Sequence, residues 1–197
     1  SHPLNGSAFV SLVEGRSLLV LNPDGECQTI NFDTGDVRPF GPLPAEMFKE
    51  LHRSYVLSDH NHIFVILERP TNQYSYISTP SIHVNGHVFA VDRNSGQVIW
   101  TQEIENQNLL MSHFDAMPIL LFTAVTHRQQ RNVVFQEMRL LAVDKPTGRV
   151  LMDWTRPISN GGLNQVELNL RERFVELRSY SERLRLQAQS PATAVEE

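Results

Sequence analysis

The chain has 197 residues, a net charge of −5 and a pI near 5.9, with 41% hydrophobic and 20% charged residues. That balance describes a globular protein able to bury a core; it excludes general disorder and leaves no surplus of Lys and Arg for a nucleic-acid surface. One cysteine, Cys27, excludes an internal disulfide and a multi-cysteine zinc site, and the longest apolar run, around Met117 to Val125, is far short of the roughly 20 residues that span a bilayer.

At the start, Ser1 to Gly6 carries no basic segment followed by an apolar one, so no signal peptide is expected there. Ala8 to Val13 and Ser17 to Leu21 read as two short strands around Glu14-Gly15-Arg16, with a turn at Asn22-Pro23-Asp24-Gly25. Gln28 to Phe32 is the next strand, and Asp33-Thr34-Gly35-Asp36 turns it into Val37 to Phe40. Pro39, Pro42 and Pro44 forbid a sheet interior, and Ala45 to Leu51 then favours a short helix near residues 45–52.

His60 to Glu68 contains Ile63-Phe64-Val65-Ile66-Leu67, a continuous apolar run that fits a strand buried on both faces. After a loop at Arg69 to Pro80, Gly86 to Asp92 and Gly96 to Glu103 form two strands around a tight turn. The pattern then restarts: a strand at Pro118 to Val125, a polar loop at His127 to Asn132, and a hairpin of Val133 to Asp144 with Gly148 to Trp154. Arg156 to Gly162 is a loop by composition. Gln165 to Leu170 alternates with period two, and Phe174 to Tyr180 and Glu182 to Gln187 give two more strands. A helix over Glu172 to Leu186 competes, since Glu and Arg form helices well, but Val175, Leu177, Leu184 and Leu186 alternate as in strands. Ser190 to Glu197 is small, polar and acidic, and a disordered tail over 188–197 is expected.

Two hairpins share one grammar. Ala90, Asp92, Ser95, Gly96 and Trp100 recur as Ala142, Asp144, Thr147 and Gly148, with Asp92 and Asp144 lying 52 residues apart. Asp caps a strand end, Ser or Thr bonds the backbone, and Gly takes a positive φ. The repeat resembles that of the quinoprotein-like β-propellers with a tryptophan-docking motif, which reads Ala-x-Asp-x-x-Thr-Gly-x-x-x-Trp. In the second copy Met152 holds the docking position and Trp154 arrives late; the first unit keeps Thr34 and Gly35, with Asn31 in place of Asp and Pro39 in place of Trp. The resemblance covers residues 55 to 155 well and the ends poorly.

It implies an all-β fold: a partial β-propeller of about four antiparallel meander blades, with units at about 8–40, 55–104, 112–155 and 163–187 within residues 1–187. Family members include periplasmic scaffolds of outer-membrane assembly and quinone-dependent dehydrogenases, so an extracytoplasmic or periplasmic place is implied by resemblance alone. A dehydrogenase of this kind brings a vicinal cysteine pair and a tryptophan floor for its quinone. This chain has one Cys, and its two Trp fall at a docking position, Trp100, and two residues past one, Trp154. The reading is therefore a non-catalytic scaffold segment of a longer protein with no cofactor, whose partners are another protein, the rest of a longer chain, or a second copy that closes the open sheet faces. A fragment of a quinone-dependent dehydrogenase and a polysaccharide-binding propeller are the alternatives.

Other chemistry-bearing residues have plain structural readings. His60 and His62, two apart on a strand, could share a metal with His83, His87 or Asp59, but no third ligand has diagnostic spacing. His113 and Asp115 could serve as acid and base, yet they precede a buried strand and can cap it. Asp92 and Asp144 could be paired hydrolase carboxylates, although equivalent turns favour a structural role. Cys27 beside Glu26 has no neighbouring His to activate it and reads as an inert surface or half-buried thiol. Arg171, Arg173, Arg178, Arg183 and Arg185 on one strand face could bind an acidic partner or a polyanion, but Glu167, Glu172, Glu176 and Glu182 interleave with them, a pattern of cross-strand ion pairs on a solvated face. Gly161-Gly162 lacks the Lys and helix of a phosphate loop.

Overall fold

The computed structural model describes residues 8–13, 16–73, 79–130, 133–158, 165–169, 171–172, 174–178 and 183–187, with backbone alone at 128–130 and 133–135. The chain is all-β and its strand pairs are antiparallel. A four-stranded sheet holds β1 (Phe9–Val13), β2 (Ser17–Leu21), β3 (Cys27–Asn31) and β4 (Val37–Phe40), in that order. A 3₁₀ turn, Ala45–Phe48, follows the prolines, where the short helix is expected.

The next seven strands are hydrogen-bonded in sequence order into one sheet. They are β5 (Arg53–Ser58), β6 (His62–Glu68), β7 (Ser81–Asp92), β8 (Val98–Leu110), β9 (Ile119–Gln130), β10 (Val133–Asp144) and β11 (Val150–Ile158). A three-stranded sheet of β12 (Gln165–Asn169), β13 (Phe174–Arg178) and β14 (Arg183–Gln187) closes the described chain, so the strand reading prevails over the helical one for 183–187.

Two departures from the sequence reading concern strand length. The β7–β8 hairpin runs from Ser81 to Leu110, beyond the expected 86–103. His127 to Gln130 continues β9 instead of opening a loop, because each of these residues finds a ladder partner on β10. Polar residues in a long hairpin keep their backbone bonds and lose nothing by staying extended. The tail, 188–197, and Gly161-Gly162 lie outside the described residues.

The seven-stranded sheet is really two packed halves. β8 and β9 pair only at Asn108 with Thr123 and Leu109 with Phe122. Beyond that pivot, Phe64, Ile66, Val88 and Ala90 of β6 and β7 share a core with Leu120, Phe122, Leu141 and Val143 of β9 and β10. Alternation then assigns the opposite faces. Ile63, Val65, Leu67, Phe89 and Val91 pack against Leu19, Leu21 and Phe40 of the first sheet. Leu121, Leu140 and Ala142 pack against Val166, Val175 and Leu177 of the last. Four layers of strands thus enclose three cores, and β6 is buried on both faces as its apolar run requires. Phe64, Phe89 and Phe122 are 0–1% exposed, and each such side chain contributes roughly 1.5–3 kcal/mol by leaving water.

Candidate functional site

The chemistry-bearing residues gather where hairpin turns of one layer meet the next. Three turns share one geometry. Asp92 Oδ1 accepts from the Asn94 and Ser95 N–H groups at 3.0 and 2.7 Å and from Ser95 Oγ at 2.9 Å. Asp144 Oδ2 accepts from the Thr147 N–H at 3.2 Å and from its hydroxyl. Asn31 Oδ1 does the same for the Asp33 and Thr34 N–H groups, at 2.8 and 3.0 Å. Gly35, Gly96 and Gly148 all take φ of +70 to +72°, the left-handed conformation in which glycine carries no Cβ penalty. The unit that looks degraded in sequence is therefore intact in shape, because an Asn side-chain oxygen accepts the same two N–H groups as Asp.

These bonds leave the carboxylates little to do elsewhere. The Ser95 N–H and hydroxyl hold the Asp92 carboxyl below its ordinary range. Asp92 and Asp144 each close their own turn, 52 residues apart in sequence.

Trp100 lies at the junction between the second and third layers. It is 9% exposed, its indole N–H donates to the Lys145 carbonyl at 2.7 Å, and its ring lies against Gly148, where an added Cβ would stand 2.5 Å from Cγ. Gln102 Nε2 adds a bond to the Gly148 carbonyl at 2.8 Å. Trp100 pairs with Ala90, and a bulge between Ala90 and Val91 sets that register. The same bulge between Ala142 and Val143 brings Met152 opposite Ala142, so Met152 holds the docking place in the third layer while Trp154, under the Arg156 guanidinium, packs two residues along. The first sheet lacks the bulge: Ile30 pairs with Val37 and Thr29 with Arg38. By ladder register Arg38 stands opposite Thr29, while the Pro39 carbonyl and the Phe40 Cα lie against Gly96.

Below Trp100 lies a buried ion pair. Lys145, 2% exposed, directs Nζ to Asp59 Oδ2 at 3.2 Å and to the Phe114 carbonyl at 2.5 Å, with the Phe114 ring centroid 4.0 Å away. Burial pulls the Lys145 pKa below its ordinary value, against the opposing pull of Asp59 and Asp115. For Asp59, burial would raise the pKa, but the N–H groups of Asn61 and His62, each 2.9 Å from Oδ1, and the Lys145 ammonium outweigh it and lower it. Asp59 also binds His62 Nδ1 at 3.1 Å, and its carbonyl accepts from Arg93 at 3.2 Å. One aspartate therefore ties the β5–β6 turn to the turns of two hairpins. Sequence reading passed over Lys145, whose only signal was its place directly after Asp144.

Beside this cluster, a shallow cavity of about 530 Å³ is lined by Val56, Leu57, Ser58, Met111, His113, Phe114, Asp115 and Ala116. His113 adopts φ +60°, and its carbonyl accepts from Ala116 and Met117. His113 and Asp115 shape that turn on the cavity rim. Lys145 does not reach the cavity, so its amine is closed to a dissolved substrate.

The remaining candidates are dispersed. His60 lies in the bend before β6 and not on the strand, so it does not share a face with His62. His83 binds Glu68 at 2.9 Å at the far end of β6, and the His87 ring packs on Phe89. Among the described residues, no three His, Cys, Asp or Glu gather at metal-binding distance. Cys27 is 6% exposed instead of sitting at the surface, and burial pushes its thiol pKa up to about 11. Arg178 pairs with Glu167 across β12 and β13 and with Glu176 two residues along its own strand, and Arg185 pairs with Glu172 of the β12–β13 turn; Arg173 and Glu182 lie outside the described residues.

The chain matches no family model and no curated protein. Among solved structures it is similar to the computationally designed Ika4 protein, with 11% identity, a TM-score of 0.41 and coverage of 95% of this chain and 96% of that one. It is also similar to BamB from Moraxella catarrhalis, with 16% identity, a TM-score of 0.38 and coverage of 88% of this chain; the chain spans 46% of BamB.

Proposed function

We propose that the chain is a non-catalytic β-propeller segment that acts as a protein-interaction scaffold, with the units near 8–40, 55–104, 112–155 and 163–187 as its blades. The observation that carries this reading is how the ionisable groups at the layer junctions are used. Asp92 and Asp144 cap their own turns, and Asp59 and Lys145 clamp neighbouring layers with the amine 2% exposed. Groups spent on holding layers together are not available as acid, base or nucleophile. A rigid stack with irregular connections is instead suited to presenting surfaces.

Two measurements on the folded chain test the reading. A photo-crosslinking residue at exposed positions such as Ile99 or Val150, expressed in the parent cells, is expected to give discrete protein adducts. Melting temperature is expected to be indifferent to calcium and pyrroloquinoline quinone. A quinone-dependent rise in melting temperature, or the absence of any discrete adduct at every position tried, overturns it.

A further inference from the structure

The junction between the first two layers differs from the next one in the side chain that holds the docking register. At the second junction Trp100 fills the space between sheets and reaches the Lys145 carbonyl. At the first junction the register-equivalent residue is Arg38, paired with Thr29 across β3 and β4. A guanidinium on a flexible stem does not fill an indole's space and keeps its charged end in water. The Gly41 N–H bonds the Gly96 carbonyl directly at 2.6 Å, and beside this contact lies a groove of about 490 Å³.

The groove has a definite chemistry. Arg16, from the turn after β1, and Arg38 rise from the first sheet, and Arg93 comes from the facing turn of the second layer. All three are exposed, and among the described residues Arg16 and Arg38 make no ion pair. Arg93 donates to the Asp59 carbonyl at 3.2 Å. Asp36 is the carboxylate on the lining whose side chain is not consumed by its turn; hydroxyls of Ser17 and Thr29 line the same wall, and Val13, Phe40 and Ile63 form an apolar floor. A chain with a net charge of −5 thus concentrates positive charge in one cleft.

We propose that this groove binds an acidic peptide segment of a partner protein, its carboxylates paired with Arg16 and Arg38 and an apolar side chain seated on Val13, Phe40 and Ile63. This deepens the scaffold reading and rests on it. Arg forks match carboxylates in two parallel bonds, and such charge-assisted pairs are stronger than neutral ones. The apolar floor and the acidic surroundings favour a short mixed segment over a nucleic acid, whose phosphates need a longer basic track.

The test uses a fluorescein-labelled octapeptide alternating Glu and Leu, its Gln and Leu counterpart, and fluorescence anisotropy at two salt concentrations. The Glu peptide is expected to bind, more weakly at higher salt as screening requires, and the Gln peptide to bind at least about tenfold more weakly. Arg38→Glu and Arg16→Glu are expected to abolish Glu-peptide binding while the melting temperature stays near that of the parent chain. If a charge reversal disturbs folding, Arg38→Gln and amide chemical-shift changes at Ser17 and Thr29 during peptide titration give the same answer.

Equal binding of the Glu and Gln peptides, or binding unchanged in Arg38→Glu, overturns the proposal. Displacement of the Glu peptide by a single-stranded oligonucleotide or by inorganic phosphate at matched charge also overturns it, in favour of a phosphate site. If the groove fails these tests while photo-crosslinked adducts still form elsewhere, the scaffold reading stands without it; a quinone-dependent melting shift removes both.

Discussion

Asp59 carries more of the junction than its size suggests. It accepts from two N–H groups and an ammonium, so replacing it strands Lys145, an amine 2% exposed and packed against Phe114. Removing one partner of a buried pair costs far more than replacing it by an apolar group. Asp59→Asn is therefore expected to lower stability by about 3 kcal/mol near neutral pH, and Lys145→Met by clearly less, since the Asn61 and His62 N–H groups still hold the carboxylate. The pH dependence follows from the two directions of shift. The Asp59 carboxyl titrates below 3.8 in the folded chain, so its stabilisation is complete above that value and is lost as pH falls through the folded pKa. Lys145 titrates below 10.5 when folded. Above the folded pKa the unfolded chain holds the extra proton, so stability rises with pH in the window up to 10.5. In Asp59→Asn the acid loss is expected to shrink, and the alkaline gain to begin at lower pH because Lys145 has lost its counter-charge. Urea unfolding of the parent chain and both variants across pH measures this. Equal destabilisation by the two substitutions with parallel pH profiles contradicts it.

The tight turns offer an internal comparison, because one glycine is open and another is packed. Gly35 and Gly148 have φ of +72 and +70°, but an added Cβ meets nothing within 4 Å at Gly35 and lies 2.5 Å from the Trp100 ring at Gly148. Gly35→Ala is expected to cost only the left-handed penalty, roughly 1–2 kcal/mol. Gly148→Ala adds displacement of the indole and costs more. Trp100→Ala opens a cavity worth about 3–5 kcal/mol, and in that background the cost of Gly148→Ala is expected to fall to that of Gly35→Ala. A double-mutant cycle by chemical unfolding reads the coupling directly; additive effects dismiss the docked contact. The same elements show what sequence could convey. The continuous apolar run of Ile63–Leu67, the alternation in Gln165–Asn169, and the Asp92 and Asp144 turns were legible because they are local patterns of spacing and turn chemistry. The missing bulge was not: it shifts Arg38 into the docking register without leaving a mark on composition. Nor was the Asp59–Lys145 pair, whose members are separated by most of two hairpins. The groove joins Arg16, Arg38 and Arg93 from three connections, and only the stacking of two sheets makes them neighbours.

At the scale of the whole stack, the two ends are chemically unlike. On the outer face of the first sheet, Leu12, Leu18, Ile30 and Val37 form one cross-strand row beside Val10. Val10 is 46% and Leu12 58% exposed, and Phe32 at the adjoining turn is 53% exposed. The outer face of the last sheet instead carries Arg178 between Glu167 and Glu176, and Arg185 on Glu172 with its guanidinium 3.4 Å from the Phe174 ring centroid. A polar outer face of that kind ends a stack, whereas an apolar one continues it. Head-to-tail association of copies would press Leu12 against ion pairs and strip their water, an exchange that costs more than it returns. Association through the apolar face alone is isologous and stops at two copies. Light scattering over a range of concentrations is therefore expected to show growth from the 22.5 kDa monomer towards a dimer and no further. Leu12→Asp, at an exposed edge position, should hold the chain monomeric with little change in melting temperature. Open-ended growth, or self-association untouched by Leu12→Asp, would place the contact elsewhere on the molecule.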